Sequence, residues 1–582
     1  MSIPLRAYWG LLVDYLRPQL RRVVLLALML LTSIGLQLYG PQILRTFINE
    51  ITGGVSPHRL TYLAAIFIAV AFANNAISAY SRYLGEDVGW TATNHLRADV
   101  AAHCLSLDMA FHKVHRPGEL VERIDGDVDT LGGFFSRLIV HLGANAILVL
   151  GVLILLFLED WRLGAALAAY AVVALVVMVK IRNIAVPYFR AVRQQSATFF
   201  GFLEEHLSGR EDIRANGATG FVMRRFYEIA TEWLRRDKQA ALRGSAMWST
   251  AVILFALGDA LAFAMGFYLW RQGVIAIGTV YLIFHYTDLL KRPLGQIRTQ
   301  LQELQRASAS ILRIRELLDT ETRLPDGRIT HLPAGPLSVR LNGVSFAYED
   351  DDEIILHDIN LDLSPGRVIG LLGRTGSGKT SLARLLLRLY DPTEGEVVIG
   401  GTAARQLAAG CLRQRVQMVT QDVQVFHASV RDNLTFFADG VDDRAILAVL
   451  EELGLGNWLR GLLAGLDTVL ESGGGGLSAG EGQLLAFARI FLADPGLVVL
   501  DEASSRIDPA TEQLIEGAVD RLLAGRTGVI IAHRLATIDR ADDILILEGG
   551  RVVEFGEREA LAADPGSRFS QLLKTGMEGF LA

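Results

Sequence analysis

Six long apolar stretches in the first half of the chain restrict its fold more than any other feature. They carry almost no charged residues and cover Val23–Leu44, Leu60–Ser81, Leu138–Leu158, Leu163–Val179, Ser245–Trp270 and Gln272–Thr287. A helix needs about 20 mostly apolar residues to cross the hydrocarbon core of a bilayer, and flanking residues can complete shorter runs. The pattern therefore predicts six membrane-spanning helices rather than one large buried helical core.

The loops between these stretches predict how the chain is oriented. The loops after the second and fourth stretches are long, near residues 82–137 and 180–244, and their helix-like composition predicts helices that extend into water. Basic residues cluster at one set of ends, at Arg17, Arg21, Arg22, Lys180, Arg182, Lys291 and Arg292. Because Lys and Arg mark the cytoplasmic side, we expect the N-terminus, both long loops and the second half of the chain in the cytoplasm.

The bulk composition agrees with a protein that is partly membrane-embedded and partly aqueous. Hydrophobic residues make up 51% and charged residues 20% of the 582 residues, which are too many for a single hydrophobic core. The formal net charge of −7 gives no support to nucleic acid as a partner. We therefore expect at least two domains and contact with the lipid bilayer.

The pattern changes after residue 320. A polar segment containing proline reads as a linker over 321–336, and short β-rich runs then alternate with helical segments. The runs are Leu337–Leu341, Arg367–Leu372, Glu396–Ile399, Val416–Val419, Leu497–Leu500, Thr527–Ile531 and Ile544–Leu547. The predicted organisation is an all-α transmembrane domain over 1–320 and an α/β domain over 337–582.

A phosphate-binding loop is the most specific motif. Gly373–Thr380 reads GRTGSGKT, follows an apolar strand and opens a helix, which is the context that G-x-x-x-x-G-K-[ST] requires. Its glycines let backbone N–H groups turn towards phosphates, while Lys379 supplies charge and Thr380 a hydroxyl for Mg²⁺. The predicted contacts of Mg-ATP are Gly373, Arg374, Thr375, Gly376, Ser377, Gly378, Lys379, Thr380 and Ser381.

An acidic pair follows a second apolar run. Asp501 and Glu502 stand at the end of Leu497–Leu500, where Asp501 would reach the Mg²⁺ shell and Glu502 would polarise the attacking water. Strands often end in acidic residues, so this dipeptide alone is weak evidence for nucleotide chemistry, and the neighbouring motifs are what strengthen it.

Further motifs resemble the ATP-binding-cassette (ABC) ATPases. Leu477–Glu481 reads LSAGE and resembles the family signature LSGGQ, and Ser505–Asp508 occupies the D-loop position. Gln421 resembles the Q-loop glutamine, His533 the switch histidine and Tyr348 the aromatic residue that stacks on adenine. These elements follow one another in the family's order.

The resemblance implies a role for each residue. Two nucleotide domains would enclose two ATP molecules, each between one chain's phosphate loop and the other chain's signature, with Ser478 and Gly480 as signature contacts. Gln421 would touch Mg²⁺ and His533 the γ-phosphate. Asp508 would couple the two sites, and Glu502 would act as the general base.

The first half resembles the exporters in which six membrane helices precede one nucleotide domain, with helices swapped between subunits. The similarity lies in Arg116–Leu131 and Phe199–Gly217, so that it covers nearly the whole chain. It implies short coupling helices near His112–Gly118 and Asn216–Gly220 that dock on nucleotide domains, at least one of them on the partner's domain. It also implies a bacterial inner-membrane location. The six predicted spans exclude the soluble ABC-type ATPases of DNA repair or translation, which lack membrane segments.

Two departures from the signature point to a particular assembly. Ala479 replaces the first glycine of the usual pair, and Glu481 replaces glutamine, while Asp501, Glu502 and His533 are kept. This combination resembles the subunit of heterodimeric multidrug-type exporters that keeps the catalytic glutamate. We therefore expect a heterodimer with one competent and one impaired ATP site. A homodimeric exporter, a siderophore importer of the same fold and an ATP-gated membrane regulator remain as alternatives.

Polar residues within the apolar stretches are candidates for cargo contacts. Asp259 interrupts the fifth stretch, His141 and Asn145 lie in the third, and His285 lies in the sixth. Ionisable groups are costly in a bilayer and often line transport pathways. Asp259 is expected to contact a polar or cationic cargo or to pair with a histidine; the alternative is a packing contact. The cargo itself, whether a small molecule, drug, lipid or peptide, does not follow from the sequence.

Overall fold

The chain folds into two compact units. The structure, a computed structural model, describes residues 10, 13–54, 56–137, 143–348, 353–420, 423–438, 440–501, 509–532 and 535–575. The first unit comprises residues 1–105 and 118–320, and the second comprises 106–117 and 321–582. The chain thus leaves the first unit briefly, contributes a short segment to the second, and returns.

The described part of the first unit is helical. Its helices are α1 (Leu20–Thr52), α2 (Pro57–Ser106), α4 (Pro117–Val121), α5 (Val128–Arg137), α6 (Ala144–Glu159), α7 (Trp161–Ser208), α8 (Arg210–Ala215), α9 (Thr219–Arg271) and α10 (Ile277–Leu318). A π-helical turn, Glu122–Asp127, joins α4 to α5. By length and composition, four helical stretches among the described residues can cross a membrane: Val13–Thr52, α2, α7 and α9.

The remaining two predicted spans also fall on helices. The described part of the third falls on α6, an apolar helix of 16 residues, and the sixth lies in α10 from Ile277 onwards. The turn between α6 and α7 is tight because Asp160 caps α7, accepting a hydrogen bond from the Arg162 N–H at 2.8 Å. The predicted class of an all-α transmembrane domain followed by an α/β domain is confirmed.

Buried polar contacts fix the packing of the first unit's long helices. Tyr286 is fully buried in an apolar cluster of α6, α7, α9 and α10, and its hydroxyl donates to the Leu38 carbonyl at 2.9 Å. Asp127 is 3% exposed and accepts hydrogen bonds from the Ser310 hydroxyl at 2.8 Å and Arg313 Nε at 2.7 Å. This carboxylate ties the π-helical turn to α10.

The two expected short helices are present, one of them shifted. The helix α3 (Met109–Val114) begins three residues before the first predicted region, overlaps it over 112–114, and belongs to the second unit. The other short helix is α8, Arg210–Ala215, so the prediction of Asn216–Gly220 was wrong. Residues 216–218 form a turn, in which Gly217 has a φ of 66°, and α9 begins at Thr219. The chain therefore turns where the second helix was expected.

The second unit contains a parallel and an antiparallel sheet. A six-stranded sheet has the order β10-β9-β3-β8-β7-β6, in which only the β9–β10 pair is antiparallel, and a four-stranded antiparallel sheet has the order β2-β1-β4-β5. The strands are β1 (Val339–Ala347), β2 (Ile354–Leu363), β3 (Val368–Leu372), β4 (Glu394–Ile399), β5 (Thr402–Ala403), β6 (Val416–Val419), β7 (Leu497–Asp501), β8 (Thr527–Ile531), β9 (Asp543–Glu548) and β10 (Arg551–Glu557).

Helices accompany the strands of the second unit. Those described, besides α3, are α11 (Lys379–Leu386), α12 (Ala409–Arg415), α13 (Val430–Thr435), α14 (Asp443–Glu452), α15 (Gly456–Gly461), α16 (Ala479–Ala493), α17 (Pro509–Leu523), α18 (Leu535–Ile538), α19 (Arg558–Ala563) and α20 (Arg568–Thr575). Every residue of β3 and β8 is buried, as expected of parallel strands covered on both faces.

The strand order brings the predicted motifs to one edge. Leu371 of β3 pairs with Ile531 of β8, and Ile531 pairs with Asp501 of β7. Parallel strands present their carboxyl ends at the same edge, where α/β sheets bind ligands. The phosphate loop, which follows β3, and Asp501 therefore lie on the same side of the sheet.

Candidate functional site

The phosphate loop has positive φ angles at three glycines, 373, 376 and 378, and at two of them a side chain would also clash. Gly373 has a φ of 152°, and a Cβ there would lie 2.2 Å from the Leu547 carbonyl oxygen. Gly378 has a φ of 101°, and a Cβ there would lie 2.5 Å from a methyl group of Leu356. The loop is thus packed closely against β2 and β9 at both ends, while Arg374, Thr375 and Gly376 between them are exposed.

Lys379 is held inside this loop. It is 6% exposed, and its Nζ donates to the carbonyls of Gly373 at 2.6 Å and Arg374 at 3.0 Å. Burial lowers the pKa of Lys379, and the nearby carboxylate of Asp501 opposes that shift. An anion bound in the loop would neutralise the charge of this ammonium group, which burial shields from water.

The loop residues fit a Mg-nucleotide. The Ser377 hydroxyl oxygen is buried and makes no hydrogen bond with the described atoms. Lys379 begins α11 directly after Gly378, so the N-terminal end of that helix faces the loop and favours an anion. Thr380 is exposed in the first turn of α11, and Asp501 lies at the same sheet edge, so both can supply oxygen to Mg²⁺.

Tyr348 lies beside the first turn of α11. Its hydroxyl is 3.1 Å from the Ser381 hydroxyl and accepts from Arg384 Nη1 at 2.9 Å. Phe346 and Tyr390 contact its ring edge-to-face, with centroids 4.8 and 5.2 Å away. The ring is therefore positioned next to the phosphate loop, where the predicted stacking on adenine requires it.

The signature segment is the N-terminal cap of α16. The Ser478 hydroxyl oxygen accepts from the Glu481 N–H at 3.2 Å. In return, Glu481 Oε2 accepts from the Ser478 N–H and from the Ser478 hydroxyl, both at 2.8 Å. This is a capping box, and its S-x-x-E pattern was visible in the sequence as a structural signal beside the functional one. Gly480 is buried in the first turn.

Several predicted site residues lie outside the described part of the chain. They are Gln421, Glu502, Asp508 and His533. Their roles stay predictions. Sequence reasoning missed two residues near Tyr348, Arg384 and Lys113, because neither belongs to a motif; Lys113 Nζ lies 4.2 Å from the Tyr348 ring centroid.

A charged cluster lies among the first unit's apolar helices. Asp259 Oδ2, on α9, accepts a hydrogen bond from Lys291 Nζ, on α10, at 2.8 Å. Lys291 Nζ also forms an ion pair with Asp288 Oδ1 at 3.1 Å. The partner of Asp259 is thus a lysine; His285 instead stacks on Tyr281 with ring centroids 6.0 Å apart. The second oxygen of Asp259, Oδ1, is buried and makes no hydrogen bond with the described atoms. His141 lies outside the described residues.

Family models match both halves of the chain. Residues 23–294 match the family model "ABC transporter transmembrane region", and residues 356–505 match the family model "ABC transporter". The two matches fall within the predicted transmembrane and α/β domains.

Full-length relatives and a solved structure agree with this division. An uncharacterised ABC transporter ATP-binding protein of Bacillus subtilis is 28% identical and covers 97% of this chain and 92% of its own length. The ATP-dependent lipid A-core flippase 1 of Colwellia psychrerythraea is 29% identical, covering 96% of this chain and 95% of its own length.

The solved structure of a bacterial Atm1-family ABC exporter with ATP bound superposes with a TM-score of 0.79 at 25% identity, covering 96% of this chain and 98% of that one. Both halves, in this order and over nearly the full length, match the same architecture. The chain belongs to the ABC exporters, as a half-transporter that joins a transmembrane domain to an ATPase coupled to transport.

Proposed function

We propose that this chain is the hydrolysing subunit of a dimeric exporter in a bacterial inner membrane, with its ATPase domain in the cytoplasm. Its cargo is an amphipathic, lipid-like molecule, and its two ATP sites are unequal. Support for ATP-driven transport comes from a phosphate loop of defined geometry on the same chain as helices of membrane-spanning length. Relatives named as lipid A-core flippases support a lipid-like cargo.

A transport assay tests this function. The purified assembly is reconstituted in lipid vesicles, and the movement of a fluorescent lipid between leaflets is followed with and without Mg-ATP. We expect ATP-dependent movement away from the leaflet on the ATPase side. An ATP-gated ion conductance without lipid movement, or movement in the opposite direction, would contradict it.

The capping box supports unequal ATP sites. A helix N-terminus attracts anions through its free N–H groups and its dipole. At α16 the Glu481 carboxylate already occupies this position and accepts hydrogen bonds from the Ser478 N–H and hydroxyl. The partner's γ-phosphate would therefore meet a negative charge and a serine whose hydroxyl is already engaged. Glutamine at this position could still cap the helix, but without the charge.

We expect Glu481→Gln to strengthen the ATP site that α16 covers. Removing a carboxylate from the first turn of a helix that faces phosphate is worth about 0.5–2 kcal/mol, or about 2- to 30-fold in nucleotide affinity. The measurement is nucleotide binding and ATP hydrolysis by the assembly in lipid nanodiscs. Glu559→Gln, which removes an exposed carboxylate from the first turn of α19, is the matched control.

The same proteins test the composition of the dimer. If the sites are unequal because two different chains combine, this chain purified alone hydrolyses ATP weakly, and Glu481→Gln raises that rate. Robust cargo-stimulated hydrolysis by a homodimer of the unchanged chain would contradict the heterodimer. Equal affinities for the Glu481→Gln and Glu559→Gln variants would contradict the inhibitory role of the carboxylate.

The charged cluster supports a polar contact for cargo within the apolar region. Asp259, Lys291 and Asp288 together carry two negative charges and one positive charge, and the Asp259 and Lys291 side chains are 26% and 20% exposed. Charged side chains at such depth are costly unless they are paired or face a cavity. The unpartnered Oδ1 of Asp259 makes this cluster better suited to a cationic or zwitterionic headgroup than to an anion.

We expect Asp259→Asn to lower the transport rate more than it lowers thermal stability. The variant leaves Lys291 with Asp288 as its acidic partner and removes the charge that faces the cargo. Transport in vesicles and melting in detergent are measured together, with Asp288→Asn, a more exposed carboxylate, as control. The double variant Asp259→Asn/Lys291→Met separates the two roles. If the pair only stabilises packing, removing both charges restores transport, because no less-exposed charge is left unpaired and Asp288, which loses Lys291, is 58% exposed to solvent.

A further inference from the structure

The helix α3 is fastened to the nucleotide-binding unit by its first residues. Asp108 caps α3, since its Oδ1 accepts from the Phe111 N–H at 3.0 Å, and its Oδ2 accepts from the Arg323 N–H at 2.8 Å. One carboxylate thus joins the short helix to the segment that leads into β1. In the chain, α3 follows α2, which ends at Ser106, with two residues between the helices.

Lys113 of α3 lies on the ring that is expected to hold adenine. Its Nζ is 4.2 Å from the Tyr348 ring centroid, within the range of a cation–π interaction. The hydroxyl end of that ring is held by Ser381 and Arg384, and Phe346 and Tyr390 flank it edge-to-face. The ring therefore has little freedom to move away from Lys113.

The open space beside the ring is a cavity of about 490 Å³. It is lined by Lys113 and Val114 of α3, by Tyr348 and Phe346 at the end of β1, and by Tyr390 and Asp391 after α11. Its volume is that of a small-molecule site, and its walls combine three aromatic rings, those of Phe346, Tyr348 and Tyr390, with aliphatic and charged side chains. A base that stacks on Tyr348 from this cavity reaches the place where the Lys113 ammonium stands.

We propose that Lys113 and the nucleotide base compete for Tyr348, so that binding of ATP releases α3 from the aromatic ring. The inference rests on the proposed role of Tyr348 in stacking on adenine. Stacking replaces a cation–π contact, and the exchange links occupancy of the base site to α3, the short helix that follows α2 in the chain. Lys113 is thus a positioning residue: it does not take part in hydrolysis, and it opposes base binding.

The test compares two ligands that share phosphates but not a base. Full-length protein in nanodiscs binds ATP or inorganic tripolyphosphate, in the unchanged chain and in Lys113→Met and Lys113→Arg. We expect Lys113→Met to bind ATP about 2- to 5-fold more tightly, which is the strength of an exposed cation–π contact. Affinity for tripolyphosphate stays the same, and Lys113→Arg, which keeps a cation on the ring, stays near the unchanged chain.

Tyr348→Leu, alone and combined with Lys113→Met, completes a double-mutant cycle. It also distinguishes a failure of this inference from a failure of the proposed role of Tyr348 in stacking on adenine. We expect it to weaken ATP binding and to abolish the effect of Lys113→Met in the double variant. Equal or weaker ATP binding by Lys113→Met would overturn the competition, as would a parallel change for tripolyphosphate. If Tyr348→Leu binds ATP normally, the stacking role fails and the competition fails with it. If it binds weakly while Lys113→Met has no effect, the competition alone fails.

Discussion

Lys379→Met should lower ATP hydrolysis by the assembly about 100- to 1,000-fold, the loss seen when one preorganised charge partner of a transferring group is removed. Two effects add. The ammonium is the buried cation of the loop, and it also donates to the carbonyls of Gly373 and Arg374, which hold the loop in shape. Methionine has a similar length and volume but can do neither. Hydrolysis of ATP in nanodiscs measures the loss.

A lysine elsewhere in the same unit provides the control. Lys574 is exposed on α20, and Lys574→Met changes the net charge by the same amount. Its rate should equal that of the unchanged chain. If Lys379→Met kept more than a tenth of the rate while the protein remained folded, another residue would have to neutralise the phosphates, and the assignment of this loop would be wrong.

Asp127→Ala should produce the largest loss of stability in the first unit. The carboxylate is 3% exposed and joins Ser310 and Arg313 of α10 to the π-helical turn. Removing it leaves a guanidinium without its partner, which costs about 3–5 kcal/mol for a fully buried pair. Arg313 is 48% exposed, so that water can replace part of the lost contact, and we expect about 2–3 kcal/mol. Melting of the detergent-solubilised protein reports the change.

Neighbouring residues make this prediction specific. Asp129 is exposed two residues further along, and Asp129→Ala should leave the melting temperature almost unchanged. The double variant Asp127→Leu/Arg313→Met should recover much of the stability, because no unpaired charge remains. Equal melting temperatures for Asp127→Ala and Asp129→Ala would show that the turn is not held to α10 by this carboxylate.

Strands buried on both faces were the easiest part of the second unit to predict. β8 was predicted with its observed bounds and β3 with an error of one residue, because central parallel strands are short continuous apolar runs. The edge strand β6 was also predicted with its observed bounds. β2 and β10 were missed. Both are antiparallel and alternate apolar with polar residues, as in the IILHDINLDL of β2, so that a search for apolar runs passes over them.

Functional motifs were predictable where their residues are adjacent in the chain. The phosphate loop is a contiguous motif: the glycines at 373 and 378 have the positive φ angles that its turn needs, and Lys379 donates to the carbonyls of Gly373 and Arg374 within the same segment. Glu481 was recognised as a departure, but its hydrogen bonds to Ser478 became visible only with the side chains in place.

The sequence by itself determined that this chain enters a membrane and binds a nucleotide, because apolar runs of bilayer length and a phosphate loop are properties of contiguous segments. Only the tertiary structure decided which distant side chains meet. It paired Asp259 with Lys291 rather than with a histidine, and it laid Lys113 on Tyr348. Such contacts depend on how helices and sheets pack against one another, and residues far apart in the chain carry no local pattern that predicts them.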